Sequence, residues 1–221
     1  MSLGRFAAIA ALVLSQLPGA CPAATPADRE QARAHNRQGI IFQSQGKLAQ
    51  AAEEYRQAIR LNPKGAGFHN NLALVLKDMN MLKEAEGEEE LALKLKPERA
   101  DYYFNLGIIF QRQGRLEKAE SQFRGAIARN ALDPDFHFRL AQVLMQESRP
   151  QDAEPEARSA ITLRPSEASY HKLLGDALLQ QGKNEDALLS YRKVLEFDPG
   201  SPDLGDLRSK INYLMQVLNK K

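Results

Sequence analysis

Four histidines stand in the 221 residues, and their spacing is regular. His35, His69, His137 and His171 follow one another at intervals of 34, 68 and 34 residues. Histidines gathered by a fold serve as metal ligands or proton carriers, so chemistry is the first question. A zinc ion holds its ligand nitrogens at about 2.0–2.1 Å, which requires the rings to converge. A strict period argues the other way. Equivalent residues of stacked helix pairs are held roughly 15–20 Å apart by helix packing distances. No HxxxH or CxxC accompanies the rings, and Cys21 is the sole cysteine. The sequence also lacks GxSxG, a phosphate-binding glycine loop and HExxH. No metal, no cofactor and no catalytic residue is expected, and the chain is read as a non-enzyme.

The period itself identifies the elements. Four places after His35, His69, Tyr103, His137 and His171 come Gly39, Ala73, Gly107, Ala141 and Gly175. Sixteen places after them, every unit has alanine: Ala51, Ala85, Ala119, Ala153 and Ala187. Five units follow without a gap at 32–65, 66–99, 100–133, 134–167 and 168–201. Within a unit, His35, Gln38, Gly39 and Phe42 mark one face of a helix. Gly46, Gly114 and Gly182 break the first helix, with Asn80 and Ser148 in the same role. A second helix carries Leu48, Ala51, Tyr55, Ala58 and Leu61, and Pro63, Pro97, Pro165 or Pro199 ends it in four units. One such hairpin cannot bury its apolar face, but five stacked hairpins can. After the array, Ser201 and Pro202 suit a helix start, and Leu204, Leu207, Ile211, Leu214 and Leu218 form an apolar stripe. Residues 202–221 are expected to be a capping helix.

This pattern resembles the tetratricopeptide repeat, a helix–turn–helix unit of 34 residues with Leu-Gly, Tyr, Ala-x3-Phe, Ala and Pro in order. Unit three is the closest match, in YYFNLGIIFQRQGRLEKAESQFRGAIARN. Unit two departs from it with Glu89 in place of an aromatic residue, and unit four with Ala157 and an early Pro155. The resemblance implies an all-α, right-handed superhelical solenoid of five repeats plus the capping helix. It also implies a concave groove, lined by the first helices, that holds a peptide or partner protein. Carried over position by position, the groove residues are Asn36, Arg37 and Ile40, then Asn70, Asn71 and Leu74, then Phe104, Asn105 and Ile108. Units four and five add Phe138, Arg139, Gln142, Lys172 and Asp176. Some of the apolar members have an alternative role, packing against the next repeat. The carboxylate clamp of chaperone-binding members is not expected: only Asn71 matches in the first three units, and in the next register Asp135 opposes a carboxylate.

Charge and composition bound the partners. Thirty Lys and Arg face 28 Asp and Glu with no basic stripe, so nucleic acid is not expected. The acidic run from Glu84 to Glu90 reads as a solvated helix face. Residues 1–24 have the anatomy of an export signal, with Arg5 before the apolar stretch from Phe6 to Leu14, and 25–31 read as a linker. LPGAC resembles a lipoprotein signal that would lipidate Cys21, although Pro18 stands where leucine belongs; the alternative is cleavage near Ala23 or Ala24. That lipid would be the only membrane attachment. If the histidines are buried neutral, acid should charge them together and loosen the array below about pH 6. The resulting expectation is an exported bacterial scaffold or adaptor, periplasmic or secreted, that assists assembly of an envelope or exported complex. The alternatives are a permanent structural subunit and a substrate-selecting arm for an enzyme on another chain.

Overall fold

The computed structural model describes residues 24–200 and 203–219. Among these, the chain forms eleven α-helices and no strand. The first hairpin is α1 (Pro26–Ser44) with α2 (Leu48–Leu61), and the second is α3 (Ala66–Asp78) with α4 (Leu82–Leu95). Next come α5 (Ala100–Arg112) with α6 (Leu116–Arg129), and α7 (Pro134–Gln146) with α8 (Pro150–Leu163). The last pair is α9 (Ala168–Gln180) with α10 (Asn184–Phe197), and α11 (Leu204–Leu218) packs on α10. Each hairpin packs on the next, so burial passes along the chain as a stack.

The hairpin turns are built alike. In each, a left-handed residue ends the first helix: Gly46, Asn80, Gly114, Ser148 and Gly182, with φ between 59° and 74°. The following N–H returns to the helix, as from Lys47 to the Phe42 carbonyl at 2.9 Å and from Arg149 to Leu144 at 2.9 Å. These bonds satisfy carbonyls that a helix end leaves open. Glycine adopts this backbone without penalty, and asparagine and serine stand in for it in two units.

Within a hairpin, spacing is set by one contact. Gly39, Gly107 and Gly175 lie under the rings of Tyr55, Phe123 and Tyr191, where an added Cβ would come within 2.6 Å of ring carbon. All three rings are fully buried. Units two and four lack the ring, and there the first helix carries Ala73 and Ala141 instead of glycine. Unit four pairs Ala141 with Ala157, both inaccessible to solvent in the same core. Pro155 is accommodated inside an unbroken α8.

One expectation is revised. Residues 25–31 are not a linker. Thr25 caps a helix that starts at Pro26: its hydroxyl accepts the Asp28 N–H at 3.1 Å, and Asp28 accepts the Thr25 N–H at 2.9 Å. This reciprocal cap adds nearly two turns to α1 ahead of the repeat, and Ala32, where the repeat begins, is buried. In α11, the expected stripe residues Leu207, Ile211 and Leu214 are buried, and Lys210 beside them is also drawn into the packing. Its ammonium reaches Asp176 on α9 at 2.8 Å. Ser201, Pro202, Cys21 and the export signal up to residue 23 lie outside the described residues.

Candidate binding groove

The histidines are clasps. His69 directs Nδ1 at the Glu88 carboxylate, 2.6 Å away on α4, and Nε2 at the Pro63 carbonyl, 2.9 Å away. His137 repeats this with Glu156 at 2.6 Å and Ala131 at 3.2 Å. His35 keeps the carboxylate partner, Glu54 at 2.8 Å, and His171 keeps the loop carbonyl of Pro165 at 2.7 Å while packing on Phe197. Unit three replaces the ring with Tyr103, and Arg129 takes over the Pro97 carbonyl at 2.7 Å while also donating to the Tyr103 hydroxyl. Each slot thus ties the first helix of its unit to the second helix, the loop before it, or both. Among the described residues no group of three or more His, Cys, Asp and Glu side chains could hold a metal.

This geometry reverses the expected pH effect. At His69 and His137 both ring nitrogens face acceptors, and a neutral imidazole has one N–H to give. Burial pushes the His69 pKa down, but Glu88 and the Pro63 carbonyl outweigh it and the net direction is up. At His137 the Glu156 hydrogen bond is the larger influence, and the net direction is again up. The charged ring is the one that fits.

The acidic run is likewise not a plain solvated face. Glu86 binds Arg115 of the next unit at 2.6 Å, and its counterparts Glu120 and Glu154 bind Arg149 at 2.9 Å and Lys183 at 2.7 Å. Burial opposes the charge on Glu86, yet Arg115 and Gln113 bring its pKa below the ordinary value; Lys183 and Arg158 hold Glu154 at about 2. At the first joint Ala52 and Met81 occupy these places as an apolar contact. Glu89 is fully buried, without a hydrogen bond to either carboxyl oxygen. Burial, aided by the negative charge of Asp101, pushes its pKa up to about 9, so the acid is neutral at pH 7.

The first helices α1, α3, α5, α7 and α9 line a common face. The four expected asparagines form a chain of amides. Asn105 donates to Asn70 at 2.8 Å, Asn70 to Asn71 at 3.3 Å, and Asn71 to Asn36 at 2.8 Å. Arg37 turns to Glu30 on its own helix at 3.3 Å. Ile40 is 49% exposed, and Leu74 is half-buried. Phe104 takes the packing role, with its ring 4.9 Å from Phe136 and 5.7 Å from Phe123.

The remaining expected residues surround open space. Ile108, Arg139 and Gln142 line a cavity of about 520 Å³. Phe138, Gln142, Lys172 and Asp176 line a neighbouring cavity of about 450 Å³. Leu173, with Gln142, borders both, and Gln111, Arg112 and Gln146 complete the first. Leu173, Arg112 and Gln146 were not among the expected groove residues. A sequence signal was available for one of them: Gln111 donates to Gln146 at 3.1 Å, an interval of 35 shared by Asn36–Asn71 and Asn70–Asn105. Polar side chains of adjacent first helices meet one residue beyond the period. The far end is closed by α11, where Lys172 binds Asp203 and Lys210 binds Asp176.

Stacked helical hairpins with a continuous lined face define a repeat scaffold, a class whose working part is a surface. Family models agree in detail. The model described as tetratricopeptide repeat matches residues 85–135, 104–168 and 138–202, and one described as TPR repeat matches 39–80. The chain belongs to the tetratricopeptide repeat family. No curated protein matches its sequence. Solved structures share the fold. MamA from Desulfovibrio magneticus RS-1 is 16% identical with a TM-score of 0.72, over 78% of this chain and 97% of its own. YrrB, described as a TPR protein with an unusual peptide-binding site, is 22% identical with a TM-score of 0.67, over 77% and 88%. Pseudomonas aeruginosa pilF is 20% identical with a TM-score of 0.71, over 88% and 93%.

The raised groups set a pH profile. His69 and His137 contribute stability that is whole below the ordinary histidine pKa of about 6.5 and fades as pH rises through their raised folded values. Glu89 acts in the same direction from its ordinary value of 4.5 up to about 9. Glu86 and Glu154 act in the opposite sense, since stability is lost only as pH falls below the ordinary carboxylate range. Thermal melts should therefore give a higher Tm at about pH 5.5 than at about pH 8.5. His69→Gln with His137→Gln should flatten the upper part of that slope, and Glu89→Gln should add at least about 2 kcal/mol at pH 8. A Tm that falls from pH 7.5 to 5.5 would contradict this assignment.

Proposed function

We propose that the chain is a non-catalytic scaffold or adaptor that holds an extended segment of a partner protein in the groove over α5, α7 and α9. The observation that carries this reading is the pair of adjoining cavities, about 520 and 450 Å³, joined through Gln142 and Leu173. Concave space with apolar anchors and a few polar groups is the usual form of a binding site. Ile108, Leu173 and Phe138 offer apolar contact, while Gln142 and Gln146 can both donate to and accept from a peptide backbone. YrrB, a chain of the same fold, has a peptide-binding site, which supports the assignment.

Site-specific photo-crosslinking separates a groove from an edge or convex contact. A photoreactive residue in place of Gln142 should capture the partner in cell extract, and one in place of the exposed Lys94 on α4 should not. Capture from Lys94 alone would favour a subunit bound through its outer face.

The same reading includes export, with assembly of an envelope or exported complex as the setting. Its basis is the apolar stretch from Phe6 to Leu14 after Arg5, followed by small residues and prolines. The intact mass of the protein from envelope fractions should begin near Ala23 to Thr25, or at a lipid-bearing Cys21. A mass retaining Met1 would remove export.

A further inference from the structure

Charge is distributed unevenly along the groove, and it distinguishes one kind of partner segment. Among the groove cations, Arg37 is neutralised by Glu30 at 3.3 Å, Lys172 by Asp203, and Lys210 by Asp176 at 2.8 Å. Arg112 and Arg139 are different. Arg112 donates to the Lys77 backbone carbonyl at 2.8 Å, and Arg139 to the Gln142 side chain at 3.1 Å. Neither meets a carboxylate among the described residues. Asp135, one turn before Arg139, is held by the Tyr170 hydroxyl at 2.6 Å and by Arg164 at 3.4 Å. Both arginines line the same cavity of about 520 Å³, with Ile108 and Leu173 as its apolar wall.

We propose that this cavity reads a carboxylate side chain, Asp or Glu, inside the partner segment, with an apolar residue beside it seated against Leu173 and Phe138. The proposal rests on the groove reading above and adds the chemistry of its occupant. A guanidinium carries five N–H donors in a planar fork that matches a carboxylate, and the contacts just described use few of them. Two unneutralised cations in a recess attract an acidic group from a distance and fix the register in which it docks.

Position argues for an internal side chain rather than a chain end. The lined face continues on both sides of the arginines, to the amide chain ending at Asn105 and to the cavity of about 450 Å³ at Phe138. The second cavity also has Glu167 and Asp198 at its border, and neither pairs with a cation among the described residues. A carboxylate displaced toward that end meets repulsion, so the acidic residue belongs at the arginines and the apolar one beyond it.

The test is selection from a random library of about twelve residues displayed without a free C-terminus, using the full chain and an Arg112→Glu/Arg139→Glu variant. A thermal melt checks that the variant folds, and Arg112→Gln/Arg139→Gln replaces it otherwise. The full chain should enrich peptides with Asp or Glu next to an aliphatic or aromatic residue. An amidated peptide of that sequence should bind at least about tenfold more weakly to the variant, and likewise when its own acid becomes an amide. Added salt should weaken it. Enrichment of peptides without an acid, indifference to both arginines, or binding only as a free C-terminal acid would each overturn the proposal. Enrichment that is lost on Phe138→Asp but indifferent to the arginines would overturn the charge assignment and leave the groove. No enrichment at all would remove both.

Discussion

A ring lying on a glycine sets the dimensions of this protein. Tyr55, Phe123 and Tyr191 each cover a glycine of the preceding helix so closely that a methyl group would stand 2.6 Å from ring carbon. Interiors are packed densely enough that such an overlap cannot be absorbed without displacing a helix. Helix separation within the hairpin follows from that contact. Hairpin stacking follows from helix separation, and the face lined by the first helices follows from the stacking. Size complementarity is kept even where the ring is lost. Unit four uses alanine on both sides, and unit two has Ala73 opposite the shorter Glu89. Tyr103, larger than the histidine it replaces, is likewise met by a glycine, Gly125.

Polar groups then hold what packing has shaped. The histidine clasps act within and before a hairpin, and the Glu86, Glu120 and Glu154 pairs act between hairpins. Burial and partner together decide the direction in which Glu154, Glu89 and His69 are shifted. A carboxylate beside a cation at a partly open joint is held low, as at Glu154. A carboxylate alone in the core is pushed up, as at Glu89, because desolvation there exceeds every favourable contact. His69 lies between these cases: it is buried, but both nitrogens have acceptors, and the acceptors win. At Glu89 a local rule of the repeat is broken at a cost. A proton-bearing acid sits where the other units have an aromatic ring or alanine.

Much of this was legible in the sequence because the repeat prints each position five times. Helix number, turn positions and the small-residue slots all follow from the period of 34 and elementary helix geometry. What escaped had physical reasons. The linker at 25–31 became helix because a reciprocal cap at Thr25 and Asp28 lies outside the period. The histidine partners Glu54, Glu88 and Glu156 recur 19 residues on, and at His69 and His137 burial considered without them has the wrong sign. Phe104 has the register of a groove residue but packs on Phe123 and Phe136, because one face of a first helix serves both the groove and the next repeat. Leu173 and Arg112 carry no mark in the repeat, since the cavities arise between units and the period aligns positions within them.

The lined face and the core are therefore one construction, and the ring on the glycine is the contact on which both depend. Unit four already shows the alternative, Ala141 with Ala157. The direct measurement is the stability cost of Gly107→Ala, by denaturant unfolding, in the natural chain and in a Phe123→Ala background. With the ring present the added methyl should cost about 2 kcal/mol, from overpacking. With the ring removed it should be neutral or stabilising by up to about 1 kcal/mol, since alanine is the better helix residue. Equal costs in both backgrounds would show that the two residues do not sense each other, and would contradict the account.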